Sequence, residues 1–251
     1  MDLFSLKGKK AIVSGASRGL GRGMAEGLLE AGAEVLFIDI LPEVEQTARE
    51  YTTKGFSAKS FVMDLSDRNV LESRFGEILS LLGGRIDILV NNAGIQRRSP
   101  FLEFPLNYWD EVIKINLESI FIFSQLAANE MAKNNSGRII NVASMNSLFG
   151  GMNIVAYSAA KGGVVTLTKA MSNELAGKGI NVNAIAPGYM DTEICQIIRN
   201  ENTAQPIMDR IPKGRWGLPA DLKGIAVFLA SPASEYITGA LIPVDGGFAS
   251  R

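Results

Sequence analysis

The chain of 251 residues contains no histidine and a single cysteine. Without histidine, proton transfer near neutral pH must fall to another side chain. Zinc sites built on histidine or on paired cysteines are excluded; a carboxylate-bound metal is not, but nothing in the pattern calls for one. The lone thiol, Cys195, can form no internal disulfide, which suits a reducing, cytoplasmic location. Neither sign of charge dominates: 25 basic side chains meet 26 acidic ones, a net of −1, so no electrostatic footprint for nucleic acid is present. No apolar run approaches a membrane span, and Ser119–Phe123 reads as a short buried-helix stretch. The first ten residues, Met1–Lys10, lack the apolar core of a signal peptide.

What remains is an ordinary globular composition, 47% hydrophobic and 20% charged. Apolar runs at Lys10–Ser14, Glu34–Asp39, Ser57–Met63, Ile86–Asn91, Arg138–Val142, Ile180–Ala186 and Ala240–Val244 read as strands. Helical patterns lie between them: Gly19–Ala31, Pro42–Thr53 and Asp67–Leu82, closed by Gly32, Gly55 and Gly83. Strict alternation of strand and helix implies one α/β domain over residues 1–251, a doubly wound (Rossmann) parallel sheet of about seven strands with helices on both faces. Only residues 189–218 break the alternation. An excursion of that length suggests either a lid over a ligand or a pair of surface helices.

Polar candidates gather at the C-terminal ends of the strands, the edge where open α/β sheets bind ligands. Gly15-Ala16-Ser17-Arg18-Gly19-Leu20-Gly21 follows the first strand and opens a helix. There glycines allow close approach to a pyrophosphate, and the helix N-terminus offers N–H groups and a positive dipole end. Asp39 ends the second strand, where a carboxylate can accept from ribose hydroxyls and repel a 2′-phosphate; it can equally serve as a turn cap. Arg18 pulls the other way, since a basic side chain could pair with that phosphate. Asp64-Leu65 follows the third strand, Asn91-Asn92-Ala93-Gly94 the fourth, Ser144 the fifth, and Pro187-Gly188 with Met190 and Thr192 the sixth. Tyr157 and Lys161 stand four residues apart, on one face of a helix. An ammonium about 4 Å from a phenol could stabilise the phenolate by at most ~4 kcal/mol, about three pKa units. In a chain without histidine, this pair is the best acid–base candidate.

The Gly15/Gly19/Gly21 turn, Asp64, Asn91–Gly94, Asn116, Ser144, Tyr157-x-x-x-Lys161 and Pro187-Gly188 together resemble the short-chain dehydrogenase/reductase family along the whole chain. One departure is Ser14, where threonine is commoner. The resemblance implies that Tyr157 exchanges a proton with the reacting oxygen, Ser144 hydrogen-bonds that oxygen, and Lys161 lowers the phenol pKa and binds the nicotinamide ribose. It also implies that Asn116 holds a water of a proton relay, that Met190 and Thr192 meet the carboxamide, and that the protein is a homotetramer. Asp39 points to NAD rather than NADP.

For substrate, Gln96, Arg97 and Arg98 follow the Asn91–Gly94 turn, and Asn146 and Ser147 follow Ser144. Arginine suits bidentate carboxylate recognition, so a small polyhydroxylated anion is indicated; the arginines could instead make ion pairs between subunits. Ala93–Arg98, Trp109–Val112 and Arg210–Gly217 resemble a branch of the family, the 2-deoxy-D-gluconate 3-dehydrogenases or 2-dehydro-3-deoxy-D-gluconate 5-dehydrogenases, with Arg215 a reserve carboxylate anchor. Gluconate 5-dehydrogenases and 3-oxoacyl-carrier-protein reductases share parts of the frame. A sensor that binds dinucleotide without catalysis would lack Tyr157, Lys161 or Ser144, and this chain keeps all three.

Overall fold

Apolar runs buried on both faces can pair only with one another, and here they do so in parallel. The computed structural model describes residues 3–193 and 204–250. Its strands are β1 (Lys10–Ser14), β2 (Glu34–Asp39), β3 (Ala58–Val62), β4 (Ile88–Asn91), β5 (Gly137–Val142), β6 (Ile180–Pro187) and β7 (Leu241–Val244). They form one parallel sheet in the order β3-β2-β1-β4-β5-β6-β7. Every expected strand is present, with ends displaced by a residue or two. Crossovers leave β1 and β4 in opposite directions, which opens a crevice between their C-terminal ends.

The helices are α1 (Gly19–Glu30), α2 (Val44–Thr53), α3 (Arg68–Leu81), α4 (Leu106–Ile113), α5 (Ser119–Ala132), α6 (Asn146–Phe149), α7 (Val155–Leu175), α8 (Ala204–Asp209) and α9 (Lys223–Ala230). Pro42 lies just ahead of α2 rather than inside it. Asp67 caps α3 instead of beginning it, its Oδ1 accepting from Asn69 N–H at 3.0 Å and Val70 N–H at 3.2 Å.

Side-chain alternation assigns the two layers. Ala11 and Val13 of β1, with Val35 and Phe37 of β2, pack toward Met24 and Leu28 of α1 and Leu229 of α9. Ile12, Leu36 and Ile38 face the other way, toward Phe75 of α3 and Phe123 of α5, whose rings meet edge to face at 6.1 Å. Both sheet faces are therefore dry, as the unbroken apolar strands require. Of the excursion at 189–218, residues 194–203 lie outside those described; Met190 bridges Gly217, and the Tyr189 and Trp216 rings stand 5.4 Å apart. No helix among the described residues is long and apolar enough to cross a membrane, and none of their acidic or thiol side chains gathers into a metal-binding group.

Candidate active site

A cleft of about 750 Å³ runs along the C-terminal strand ends. Its first wall is the glycine turn. Arg18, extended at the start of α1, makes no side-chain cap, and the first turn of the helix carries no acid. The helix N-terminus therefore turns its N–H groups and positive dipole end to a cleft lined by Gly15, Ser17, Arg18, Gly19 and Leu20. Two glycines are sterically required. A Cβ at Gly21 would fall 2.1 Å from the Gly15 carbonyl, and one at Gly15 would fall 2.9 Å from Ala93 Cα. Gly21 itself lies beneath the turn, outside the lining.

Ser14 couples this turn to the next. Its hydroxyl accepts from Asn92 N–H at 3.0 Å and Ala93 N–H at 3.1 Å, while Asn92 Nδ2 donates to the carbonyls of Ser14 and Gly15, each at 3.0 Å. Ala93 and Gly94 line the cleft. Asn91 does not: it is buried, and donates to Ser124 Oγ and Asn141 Oδ1, both at 2.9 Å. Asn92, its neighbour in the same motif, carries no assigned role in the sequence reading, yet it joins the two loops. The signal was a repeated residue at a strand end, where one side chain points into the sheet and the next leaves it.

Asp39 lines the cleft while bracing its floor. One oxygen accepts from Ser17 N–H (3.0 Å) and Ser17 Oγ–H (2.6 Å), the other from Leu41 N–H (3.1 Å). The turn-cap reading thus holds, and the carboxylate still faces the cavity. Asp64, accepting from Ser66 N–H at 2.8 Å, and Leu65 complete that wall.

At the other end, β5 delivers Ser144, and α7 delivers Tyr157 and Lys161 one turn apart; all three line the cleft. Lys161 is 3% exposed and donates to the Val142 carbonyl at 2.6 Å. Its Nζ lies 5.8 Å from the centre of the Tyr157 ring. Burial pushes the Lys161 pKa down to about 8. Asn116 sits in a π-turn, Lys114–Glu118, between α4 and α5. Such a turn widens the helix by one residue and is common near functional sites. Asn116 is wholly buried behind the cleft, accepting from Ile95 N–H at 2.8 Å and donating to Ile95 C=O at 2.9 Å. The position a Cβ would take on Gly94 is 3.2 Å from Asn116 Oδ1 and 3.7 Å from Lys161 Nζ, so Gly94 leaves room beside both groups.

Pro187, Gly188, Met190 and Thr192 form the far rim, together with Asp191 and Glu193, which sequence reasoning passed over. Gln96 and Arg97 line the cavity; Arg98 is exposed and stands outside the lining. Arg97 Nε pairs with Glu111 of α4 at 2.8 Å, and its guanidinium is 5.7 Å from the Tyr108 ring centre. Asn146 gives its N–H to Ser144 Oγ at 3.2 Å and stays outside the lining. Arg215 is also absent from it: the guanidinium forks onto Asp221 at 2.7 and 2.8 Å, which holds that carboxyl down to about 2. The apolar residues Ile40, Met63 and Ile115 also line the cleft and carry no signal in the sequence, because a residue facing a groove and one facing a neighbour have the same chemistry.

An uncapped helix N-terminus, a cradle no side chain could share and a polar triplet at the far end fit a dinucleotide laid along the cleft. Comparison with known proteins agrees. A family model described as enoyl-(acyl carrier protein) reductase matches residues 15–249. The 2-dehydro-3-deoxy-D-gluconate 5-dehydrogenase of Escherichia coli (strain K12) is 47% identical over 253 residues, covering 100% of this chain and 99% of that protein. The protein of the same name from Bacillus subtilis (strain 168) is 44% identical, over 100% and 98%. A gluconate 5-dehydrogenase from Burkholderia cenocepacia J2315, solved in complex with NADP and tartrate, superposes with a TM-score of 0.96 at 38% identity, over 100% and 98%. The chain belongs to the short-chain dehydrogenase/reductase family and is an oxidoreductase of CH–OH groups that works with a nicotinamide dinucleotide.

Proposed function

We propose that this enzyme interconverts a secondary alcohol and a ketone on a deoxy sugar acid such as 2-dehydro-3-deoxy-D-gluconate, with NAD as its preferred dinucleotide. The observation that carries the reading is the shared cavity: Ser144, Tyr157 and Lys161 at one end, and Gln96 and Arg97 on the wall beside them. The names and full-length similarity of its relatives support the substrate class.

When bound, the nicotinamide supplies the hydride acceptor or donor. The residues of the chain do the rest. Gly15, Gly19, Leu20 and the α1 N-terminus would hold the pyrophosphate, Asp39 the adenosine ribose, Asp64 and Leu65 the adenine side, and Pro187, Gly188, Met190 and Thr192 the carboxamide end. Tyr157 takes the alcohol proton in oxidation and returns it in reduction, acting at its phenol oxygen. Ser144 donates to the reacting oxygen and fixes its distance from that phenol. Lys161 carries the charge that favours the phenolate, and Asn116 keeps the surrounding backbone in register. Arg97 binds the substrate carboxylate through the guanidinium edge that Glu111 leaves open. Asp39 supports NAD, because its carboxylate would oppose a 2′-phosphate. We further propose a cytoplasmic homotetramer. The exposed apolar side chains Phe101, Leu102 and Leu106, 75%, 95% and 80% accessible, support assembly.

The test is an NADH-linked screen of gluconate, 2-deoxygluconate, 2-keto-3-deoxygluconate and their neutral sugar counterparts, run on the wild type and Arg97→Ala. Turnover of acids only, with a KM raised at least tenfold by the variant, is the expected result. Equal turnover of neutral sugars, or an unchanged KM, would remove the carboxylate reading.

A further inference from the structure

The two residues that argue opposite cofactor preferences, Asp39 and Arg18, both line the cleft. Asp39 is tied to the backbone and hydroxyl of Ser17, so Arg18 is the next residue along from the carboxylate's anchor. An arginine there could neutralise Asp39 or grip a 2′-phosphate. It does neither. Arg18 Nη1 pairs with Glu193 Oε2 at 2.7 Å, and both side chains line the cleft.

We propose that Glu193 is a specificity-determining residue for the dinucleotide: it engages Arg18 across the cleft and withholds that cation from a 2′-phosphate. The charge around this rim supports the assignment. Asp39, Asp64, Asp191 and Glu193 share the lining with Arg18, while the other described lining cations, Arg97 and Lys161, contact Glu111 and the Val142 carbonyl. Among the described residues Arg18 is the cation on this part of the lining, and with it paired the adenosine end presents more acidic than free basic side chains to an incoming phosphate. Gly19, next to Arg18, has φ +56° and would bring a Cβ no closer than 3.7 Å to Thr192 Cγ2, so the two walls approach here without touching. The ion pair bridges that gap. Its side chains are 60% and 55% accessible, so the pair is weak in stability terms and is open to competition by a doubly charged ligand.

The inference goes beyond the NAD preference proposed above by naming the residue that sets its strength, and it can be tested apart from catalysis. Calorimetric titration with 5′-AMP and with adenosine 2′,5′-bisphosphate isolates the adenosine half of the cofactor. In Glu193→Gln, affinity for the bisphosphate should rise about two- to fivefold, the span of an exposed ion pair, with affinity for AMP changing much less. The gain should vanish in the Arg18→Met/Glu193→Gln double variant and shrink with added salt. Equal gains for both ligands would point to a merely loosened rim, and a gain that survives removal of Arg18 would show that Glu193 repels the phosphate directly; either outcome overturns the proposal. If wild-type protein prefers the bisphosphate but the variants behave as expected, the NAD preference fails while the role of Glu193 stands.

Discussion

At the residue scale the catalytic proposal concentrates on three side chains. Tyr157→Phe removes the proton-transfer group and should lower kcat by about 10²–10⁴-fold while dinucleotide binding stays near normal; stopped-flow turnover beside a fluorescence titration measures both. Lys161 makes a less obvious prediction. Its folded pKa is near 8 against an ordinary 10.5, so between those values the unfolded chain binds more protons and stability rises with pH. At pH 7 the buried ammonium is a net burden of up to about 3 kcal/mol, partly offset by its bond to Val142. Lys161→Met should therefore abolish turnover yet raise the denaturation midpoint at pH 7, and should flatten the stability gain of the wild type between pH 8 and 10. A lower midpoint would mean the amine is better solvated than its position implies. The pairing of Tyr157 with Lys161 was legible from a four-residue spacing in a chain without histidine. Arg97 and Arg98 were not separable in the same way, because what distinguishes them is Glu111, on another element. Asn91 and Asn92 posed the same problem, and strand pleat resolved it in favour of the second.

At the element scale, α1 and α3 test opposite ideas. In Gly21→Ala the new methyl would meet the Gly15 carbonyl, so the turn must shift. Overpacking of this kind costs roughly 1–3 kcal/mol, and dinucleotide affinity should fall with it, both readable from thermal melts with and without ligand. Asp67→Ala removes the α3 cap just beyond the Asp64–Ser66 wall of the cleft, at the end remote from Ser144, Tyr157 and Lys161, and should cost about 1 kcal/mol with kcat little changed. The strands and the first three helices are legible in the sequence because apolar runs and closing glycines are local signals. The π-turn at Lys114–Glu118 was invisible: a single extra residue in a helix leaves no periodicity behind, and Asn116 was reached only through a family resemblance. The suggested lid at 189–218 rests partly on residues outside those described, so only its ends are placed, against the cleft and against each other.

At the scale of the whole molecule, β7 is an edge strand whose residues are only partly covered, and Phe101, Leu102 and Leu106 stand exposed. Sedimentation should find a tetramer, and Leu102→Asp with Leu106→Asp should shift it to smaller species; a wild type that sediments as a monomer would end that reading. The sheet also divides labour in a way that bears on how such enzymes diversify. The proposed chemistry and coenzyme residues stand at strand ends, and the loops after β1 and β4 share one hydrogen-bonded frame through Ser14 and Asn92. In the proposed reading, substrate choice would fall to Gln96 and Arg97 on a short surface connection, with Arg97 paired to Glu111 of α4. New specificities can accordingly be written into a few loop positions while the machinery that moves protons is inherited unaltered.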